Sequence, residues 1–381
     1  MAAQNTYISL VCGAAVLVFC SSGAVCAPLC LAGDFDSQLQ HILQELMIPE
    51  QDPSVTRVLD DVRTTLDQRW QGYELIVAGS VAAGLGTKAS DIDLAVRLPN
   101  NNASTNLYVL QETEKLFNKQ PELYSHVKIV DTINKVATIL QFNHIPSKRS
   151  VDILMFDPGN YVATRKVIEY YFKLDKRFQF LGVFLKYWFR IHKLTGRDRG
   201  SLPGYAMYLL IIFYLQQKNM VPPGYVLQVN ATPHFNNGSN VVSNELPYST
   251  TNTENLHQLL GGFFKYYSEF NFDDYIVSPL AGRPIPKNLF TIMEKLSKKY
   301  TLFNKLTTML LVMKKRFVTE VSVQDVLEYE HNAAYLTSHE LVTKLKYLMK
   351  SVATKFEELP SDKILSAILD ADEQNCIEIV D

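Results

Sequence analysis

The sequence from Glu74 to Pro99 reads ELIVAGSVAAGLGTKASDIDLAVRLP, and it decides the fold. The apolar run 75–78 has the length and composition of a buried strand. After a segment of small residues, Asp91 and Asp93 stand two positions apart among apolar neighbours. Residues i and i+2 of a strand point to the same side, so these carboxylates project together. Adjacent carboxylates repel unless a cation lies between them, and oxygen ligands of this kind suit Mg²⁺ or Mn²⁺.

An Asp-x-Asp pair by itself is more often a solvated strand edge or a turn. Here the fuller pattern combines Gly79-Ser80, Gly84-Leu85 and Ser90-Asp91-Ile92-Asp93-Leu94. It resembles the signature of DNA polymerase β-like nucleotidyltransferases, in particular the RNA terminal nucleotidyltransferases, which include noncanonical poly(A) polymerases and terminal uridylyltransferases. The resemblance covers roughly residues 36–358. It implies an α+β fold, with a catalytic domain of mixed sheet and flanking helices, a mainly helical central and PAP-associated domain, and a cleft between them.

The gross composition allows two domains but gives no sign of a strongly basic surface. The chain has 381 residues, of which 47% are hydrophobic, and its net charge is -2. An RNA partner would therefore be held by local patches and not by overall charge. We expect an apolar N-terminal segment at 1–33, a catalytic domain at 34–175, a helical domain at 176–360 and a frayed acidic tail at 361–381. Part of the helix 341–359 could pack near the catalytic domain.

The segment Tyr7–Gly33 contains no charged residue. It is compatible with a secretory signal, a membrane anchor or an appendage outside the fold, and these alternatives stay open. Four of the five cysteines lie in it, and only Cys376 lies outside. We therefore expect no disulfide within the body of the chain, which fits a reducing compartment. The expected location is the cytoplasm, with the nucleus or the mitochondrion as alternatives.

Asp152 is the only charged residue in the apolar strand predicted at 150–155. A lone aspartate among apolar residues is costly unless it is paired or bound to a metal, although it could also cap the strand end. The resemblance implies that it is the third carboxylate of a two-metal site on a neighbouring strand. We therefore predict that Asp91, Asp93 and Asp152 are the catalytic residues and the ligands of Mg²⁺ or Mn²⁺.

Lys186 and Arg190 are four residues apart in a predicted helix, so they share one face. Two cations on one face repel, and an anion between them would be stabilising, although both could simply be surface charges. The resemblance implies that they grip the nucleotide triphosphate. It also implies that Tyr205 stacks on the incoming base, while Pro203 and Gly204 replace two serines. The backbone N–H of Gly204 could stand in for the lost hydroxyl contact.

Three further residues belong to the nucleotide site that the resemblance implies. Gly79 and Ser80 would present N–H and hydroxyl donors to the phosphates. The family's ribose-contacting pair should lie near 163–165, where the match is imperfect and Thr164 is the candidate.

Two later blocks also carry the resemblance. Residues 255–287 resemble the poly(A)-polymerase-associated segment, and Val323–Asn332 resembles a family motif that ends in His-Asn. Terminal uridylyltransferases tend to carry a histidine at the position of His331, where the ring can reach the base and disfavour adenine. The alternative is that His331 and Asn332 only cap a helix end.

Together these features predict a template-independent terminal uridylyltransferase, an enzyme of EC class 2.7.7 that adds UMP from UTP to RNA 3′ ends by two-metal phosphoryl transfer. One alternative is a noncanonical poly(A) polymerase that uses ATP. Another is a catalytically silent RNA-binding homologue, for which the altered Pro203-Gly204 and Val326-Leu327 positions leave room. A 2′-5′ oligoadenylate synthase would share the Asp pair but not the two later blocks. We expect no DNA partner, and the RNA, the protein partners and any membrane contact stay open.

Overall fold

The structure of the chain is a computed structural model. It describes residues 28–49, 51–99, 101–102, 104–131, 138–155, 161–196, 200–229, 248–289, 314–327, 330–372, 374–377 and 379. Residues 1–27, on which the signal or anchor interpretation falls, lie outside them.

The strands and helices alternate first and then give way to helices. Named helices are α1 (Phe35–Leu46), α2 (Pro53–Leu66), α3 (Gly79–Ala82), α4 (Asn106–Asn118), α5 (Tyr161–Lys173), α6 (Lys176–Ile191), α7 (Gly204–Gln217), α8 (Gly224–Val229), α9 (Leu256–Glu269), α10 (His339–Glu358) and α11 (Ser361–Ile368). Named strands are β1 (Leu29–Cys30), β2 (Glu74–Ala78), β3 (Ile92–Arg97), β4 (Tyr124–Asp131), β5 (Thr138–His144), β6 (Arg149–Leu154), β7 (Tyr275–Ile276), β8 (Ile285–Pro286) and β9 (Cys376–Ile377).

A five-stranded mixed sheet carries the order β2-β3-β6-β5-β4. Only β3 and β6 run parallel, and the other neighbours are antiparallel. In β3, Ile92, Leu94 and Val96 are buried, as period-2 alternation predicts. They form a core with residues of α2 and α4, which we call the sheet core. The sheet thus buries its apolar side chains against these helices.

A second and larger core, the helical core, surrounds α7. Every residue from Ala206 to Gln216 is buried, which is the pattern of a helix enclosed on all sides. Helices α6 and α9 contact α7, and α10 packs along α9. Residues of α1 and α5 also belong to this core, so the two cores do not simply follow chain order. Sheet and helices together form the α+β architecture that the sequence predicts.

The two ends of the described chain meet. Strand β1 pairs with β9, and a disulfide joins Cys30 to Cys376. The expectation that the body of the chain forms no disulfide is wrong, because residues 28–33 belong to the fold. The expectation of a frayed tail is wrong for residues 361–372, because α11 buries apolar residues beside α1. Within the described residues, no helix combines the length and the apolar character that crossing a membrane requires.

Candidate active site

Two of the predicted catalytic carboxylates lie side by side on neighbouring strands. The parallel pairing of β3 with β6 sets Asp93 directly against Asp152. Strand β5 places Gln141 on the other side of Asp152, and its amide donates a hydrogen bond of 2.9 Å to Asp152 Oδ1. Asp91 lies immediately before β3 and acts electrostatically on Asp93. The sheet register therefore brings the three acidic residues into one neighbourhood.

The electrostatics of Asp93 show that its ionised carboxylate is incompletely compensated by positive charge. The pKa of the Asp93 carboxyl is raised from 3.8 to about 6, chiefly by burial and in part by Asp152 and Asp91, while Arg165 and Lys186 oppose the rise. An ionised carboxylate is thus unfavourable here unless positive charge compensates it. A cation bound at this site would therefore stabilise the ionised form of Asp93.

Gly79 forms the tight turn between β2 and α3. Its φ is +66°, and a Cβ placed there would lie 1.8 Å from Asp93 Oδ2. Only glycine therefore combines this left-handed conformation with such a close approach to the carboxylate. The turn sets Gly79 and Ser80 directly beside the acidic residues.

Lys186 reaches from α6 to the loop that leads into β3. Its Nζ donates to Ser90 Oγ at 2.6 Å, and to Ser80 Oγ and the carbonyl of Leu85 at 3.2 Å each. Burial lowers the pKa of the Lys186 ammonium to about 8, against the opposing effect of Asp93. Lys186 therefore connects the helical core to the loop that contains Ser90 and Asp91, which we call the carboxylate loop. Arg190, one turn later in α6, is exposed.

Arg149 is a buried residue of this site that the sequence reasoning missed. It begins β6, and its guanidinium donates to the carbonyls of Lys88 and Ser90 at 2.9 Å each. Arg149 and Lys186 thus hold the same loop from two different elements. An arginine at the start of an apolar strand is a visible signal, but the sequence does not reveal which carbonyls it binds.

Tyr205 and Gly204 lie at the start of α7. Pro203 precedes the helix without a side-chain cap, and the place of a Cβ at Gly204 is open space. Uncapped N–H groups at a helix start can bind an anion. The Tyr205 ring is partly buried, and the guanidinium carbon of Arg165 lies 5.1 Å from its centroid. Thr164 lies in α5, but its side chain is outside the described part of the structure.

His331 lies in a segment with its own polar support. Its Nδ1 is 3.1 Å from Oδ2 of Asp325, and the other oxygen of this buried carboxylate accepts the N–H of Leu327 at 2.8 Å. Because a carboxylate only accepts, Nδ1 carries the hydrogen, and Nε2 remains for another partner. The neighbouring Asn332 is buried and accepts the N–H of Val323 at 3.0 Å. The His331 ring is thus oriented at one nitrogen and 38% exposed.

The donor set fits a hard divalent cation in its chemistry. Among the described residues, no three Asp, Glu, His or Cys side chains converge into a ready-made metal cage. The oxygens of Asp91, Asp93 and Asp152 are nevertheless the ligand type that Mg²⁺ and Mn²⁺ prefer. A divalent ion would offset both the burial and the mutual repulsion that raise the pKa of Asp93.

Two families match most of this framework. The central palm domain of mitochondrial-like poly(A) RNA polymerases matches residues 35–172, and the Cid1 family of poly A polymerases matches residues 255–331. The chain belongs to the RNA terminal nucleotidyltransferase family. The recognition made from the Glu74–Pro99 pattern is confirmed.

The members of the family that resemble the chain are named for different nucleotides. Human terminal uridylyltransferase 4 is 28% identical over 239 residues, which cover 58% of this chain and 14% of that protein. The Drosophila melanogaster poly(A) RNA polymerase gld-2 homolog B is 25% identical over 240 residues, covering 57% of this chain and 17% of that protein. The chain therefore spans less than a fifth of the length of these relatives.

Solved structures confirm the fold. The crystal structure of mtPAP in complex with UTP has a TM-score of 0.72 and 16% identity, covering 88% of this chain and 71% of that one. The MgGTP-bound Cid1 poly(U) polymerase has a TM-score of 0.67 and 19% identity, covering 87% of this chain and 98% of that one. The α+β nucleotidyltransferase architecture predicted from the sequence is thereby confirmed.

Proposed function

We propose that the chain is a template-independent terminal uridylyltransferase that adds UMP from UTP to RNA 3′ ends. The observation that carries the transfer activity is the register of β3 and β6, which sets Asp93 beside Asp152 next to the Gly79 turn. Divalent ions held by Asp91, Asp93 and Asp152 would activate the RNA 3′-hydroxyl and stabilise the departing pyrophosphate. The MgGTP complex of the Cid1 relative supports Mg²⁺ in this role.

The chain's own residues would bind and orient the nucleotide. The N–H groups at Gly79 and Ser80 and at the start of α7 would donate to phosphate oxygens. Lys186 would hold the carboxylate loop in place through Ser80 and Ser90, and its charge would act on the triphosphate from there. Arg190, exposed one turn later, would pair with the γ-phosphate, and Tyr205 would stack on the base.

His331 supports uracil as the base. The buried Asp325 fixes the ring and leaves Nε2 for a base edge, so the selection would depend on hydrogen bonding and not on size alone. The human uridylyltransferase relative supports this assignment, whereas the gld-2 relative supports ATP. A poly(A) polymerase is therefore the second candidate.

We also propose that residues 34–175 act as the catalytic domain and residues 176–360 as the helical domain, with the nucleotide between them. For the compartment we propose the cytoplasm, and the Cys30–Cys376 disulfide is the observation against it. Microscopy of the tagged chain, with and without residues 1–27, tests this location and leaves β1 and Cys30 in place.

A tailing assay with each of the four NTPs on a short RNA, in Mg²⁺ and in Mn²⁺, tests the activity. We expect preferential use of UTP. Preferential use of ATP would leave the family assignment intact and overturn the base assignment. The absence of tailing in both metals would favour the catalytically silent homologue.

His331→Ala tests the base assignment in the same assay. We expect preference to move towards ATP, because the polar contact to uracil is lost. His339→Ala is the matched control, since His339 is an exposed histidine on α10 paired with Glu320. A His331→Ala protein with the nucleotide preference of the parent would remove the role proposed for this ring.

A further inference from the structure

The face of the sheet that carries the predicted catalytic carboxylates divides into a covered part and an open part. From Asp93 and Asp152 towards the ends of β3 and β6, the next residues on this face are Ala95 and Leu154, which pair with each other and are buried. From Asp152 towards the start of β6, the same face is lined by polar residues that are exposed or half-buried. The proposed function gives this polar part of the face no role.

The polar side chains of the open part form two rows across the strands, which we call the open rows. The first row consists of four residues in direct register, namely Asp93, Asp152, Gln141 and Lys128. Because directly opposed residues on neighbouring strands point to the same face, the exposed Lys128 lies on the face of the carboxylates. Adjacent strands are about 4.8 Å apart, so the backbone of Lys128 lies about 10 Å from that of Asp152.

The second row lies one step closer to the start of β6. Its register partners are Ser150, Asn143 and Ser125. Ser150 donates to Asn143 Oδ1 at 3.1 Å, and the Asn143 amide donates to His126 Nδ1 at 3.4 Å. These two contacts leave the amide of Asn143 with a further N–H and a further lone pair. The second row therefore presents an exposed side chain that can donate and accept at the same time.

A bulge in the edge strand turns His126 towards this row. The pairing of β4 with β5 shifts between Ser125 and Lys128, and His126 has a φ of +55°. A left-handed conformation is uncommon for a residue other than glycine, and bulges often redirect a side chain next to an active site. Because the Asn143 amide donates to Nδ1, Nε2 carries the hydrogen of the neutral ring. The exposed ring thus adds a donor to the open part of the face.

The residues proposed to bind the triphosphate lie on the other side of the carboxylates. Gly79 approaches Asp93 from the end of β2, and Lys186 reaches Ser80 from α6. In phosphoryl transfer, the attacking oxygen and the leaving oxygen lie roughly in line, on opposite sides of the transferred phosphorus. With the triphosphate on the β2 side, the attacking 3′-hydroxyl therefore arrives from the β6 side, where the open rows begin.

We propose that the open rows bind the single-stranded 3′ end of the RNA, with Lys128 on a backbone phosphate and Asn143 on a ribose 2′-hydroxyl. This inference rests on the proposed function of the same site. A 2′-hydroxyl both donates and accepts, which matches the two positions left on the Asn143 amide. Lys128 supplies the positive charge that complements the phosphate.

Binding of a short, fluorescently labelled single-stranded RNA to the full-length protein, measured by anisotropy without nucleotide, tests this surface. For Lys128→Gln we expect the Kd for RNA to rise by about threefold to tenfold, and the plot of log K against log[salt] to become about 0.7 less steep, because one phosphate contact is lost. Asn143→Ala should raise the Kd by about the same factor and leave the slope unchanged, since the amide is neutral.

A DNA strand of the same sequence tests the contact to the ribose. It should bind the parent protein more weakly than the RNA does, because it lacks the 2′-hydroxyl. Asn143→Ala should reduce this difference, whereas Lys128→Gln should leave it as it is.

Two exposed lysines outside the open rows serve as controls. Lys119 follows α4, which packs on the buried face of the sheet, and Lys119→Gln should keep the parental Kd for RNA. Lys350→Gln examines a competing surface on α10, where Lys350 lies near Tyr347, a ring that is 70% exposed. It should also keep the parental Kd.

Calorimetric titration with UTP in the presence of Mn²⁺ separates lost RNA binding from damage to the nucleotide site. Lys128→Gln and Asn143→Ala should keep the parental Kd for UTP and the parental thermal unfolding, since both side chains are exposed. In the tailing assay, the KM for RNA should rise in both variants. A structural role of either residue would also change the UTP affinity or the unfolding temperature.

An unchanged Kd for RNA in either variant overturns the proposal, and so does a parallel loss of UTP affinity. A rise of the same size in Lys350→Gln would move the RNA to α10. The binding measurements need no transfer. A protein that binds RNA through the open rows and tails none would refute the proposed activity and leave this surface standing, whereas tailing with a parental RNA Kd in both variants would do the reverse.

Discussion

The sheet side of the molecule and its helical side position their site residues by different means. On the sheet side, Asp93 meets Asp152 because two short strands pair in register. On the helical side, Lys186 meets Ser80 and Ser90 across about a hundred residues of sequence, and a buried Asp325 orients His331. The first arrangement follows from strand periodicity, whereas the second follows from packing between distant segments. Substitutions on the two sides should therefore differ in what they damage.

The largest effect is expected on the sheet side, from Asp93→Asn. Loss of this carboxylate removes a proposed metal ligand, so tailing should fall by about 10³-fold or more. The free energy of unfolding should not fall, because burial already disfavours the charged form. Enzyme assays and denaturant unfolding measure the two quantities.

Asp131→Asn is the control for this change. Asp131 ends β4 in the same sheet, is exposed and accepts a hydrogen bond from Thr138. It should keep parental activity. Tailing by Asp93→Asn at the parental rate would show that the carboxylate pair is structural.

Gly79→Ala should have the next largest effect, a loss of activity of about 10²-fold. A Cβ at Gly79 would overlap the Asp93 carboxylate, so either the turn or the carboxylate must move. Gly72→Ala separates this overlap from backbone strain, since Gly72 has a φ of +67° and its nearest neighbour to a Cβ is 3.6 Å away. Equal losses of activity in the two variants would mean that backbone strain alone explains the loss in Gly79→Ala.

Much of the sheet side could be predicted from the sequence, and less of the helical side. The alternation around Asp93 and the lone charge at Asp152 predicted two adjacent strands, because sheet geometry is set by local period. Arg149 and Arg165 escaped prediction, since only the packed fold reveals which groups surround a guanidinium. The pairing of Cys30 with Cys376 escaped it for the same reason, as 346 residues separate them.

The disulfide offers a test of the helical side. Cys376→Ser removes the covalent link between β1 and β9, and the free energy of unfolding should fall by about 2–4 kcal/mol under oxidising conditions. Tailing at low temperature should persist, because the proposed site residues are not part of this link. The parent protein treated with a reductant should match the variant. Equal stability of the oxidised parent and Cys376→Ser would show that the bond does not form in solution.

Asp325→Asn should have a smaller effect, confined to the choice of nucleotide. Asparagine can still accept the N–H of Leu327, but it no longer offers a charged acceptor to His331. The ratio of UTP to ATP use should fall by about threefold to tenfold, while the overall rate of nucleotide transfer is retained. Because Asp325 acts through the ring, the change should disappear in a His331→Ala background. If Asp325→Asn still changed the ratio in that background, its effect would come from the fold of the segment around Asp325 and not from the His331 ring.

The smallest effect is expected on the sheet side, from the titration of His144, a fully buried residue of β5. Its Nε2 lies 3.1 Å from Oδ2 of Asp61, which also pairs with Arg57, and its Nδ1 lies 2.7 Å from Ser147 Oγ. Burial lowers the pKa of His144 below 6.5, and the Asp61 carboxylate only partly opposes this. Above pH 6.5 the imidazole is neutral in both states, and its contribution to stability is complete.

As the pH falls below 6.5, the unfolded chain takes up the proton first, so the free energy of unfolding decreases until the pH passes the folded pKa. The loss is at most about 1.4 kcal/mol for each unit by which the two pKa values differ. Asp93 acts in the opposite sense over an overlapping range, because its folded pKa is raised and protonation relieves a buried charge. Denaturant unfolding at pH 7.5 and 5.5 of the parent and His144→Gln therefore isolates the histidine. The parent should lose more stability than the variant on acidification, and equal losses would mean that His144 titrates alike in the folded and unfolded chains.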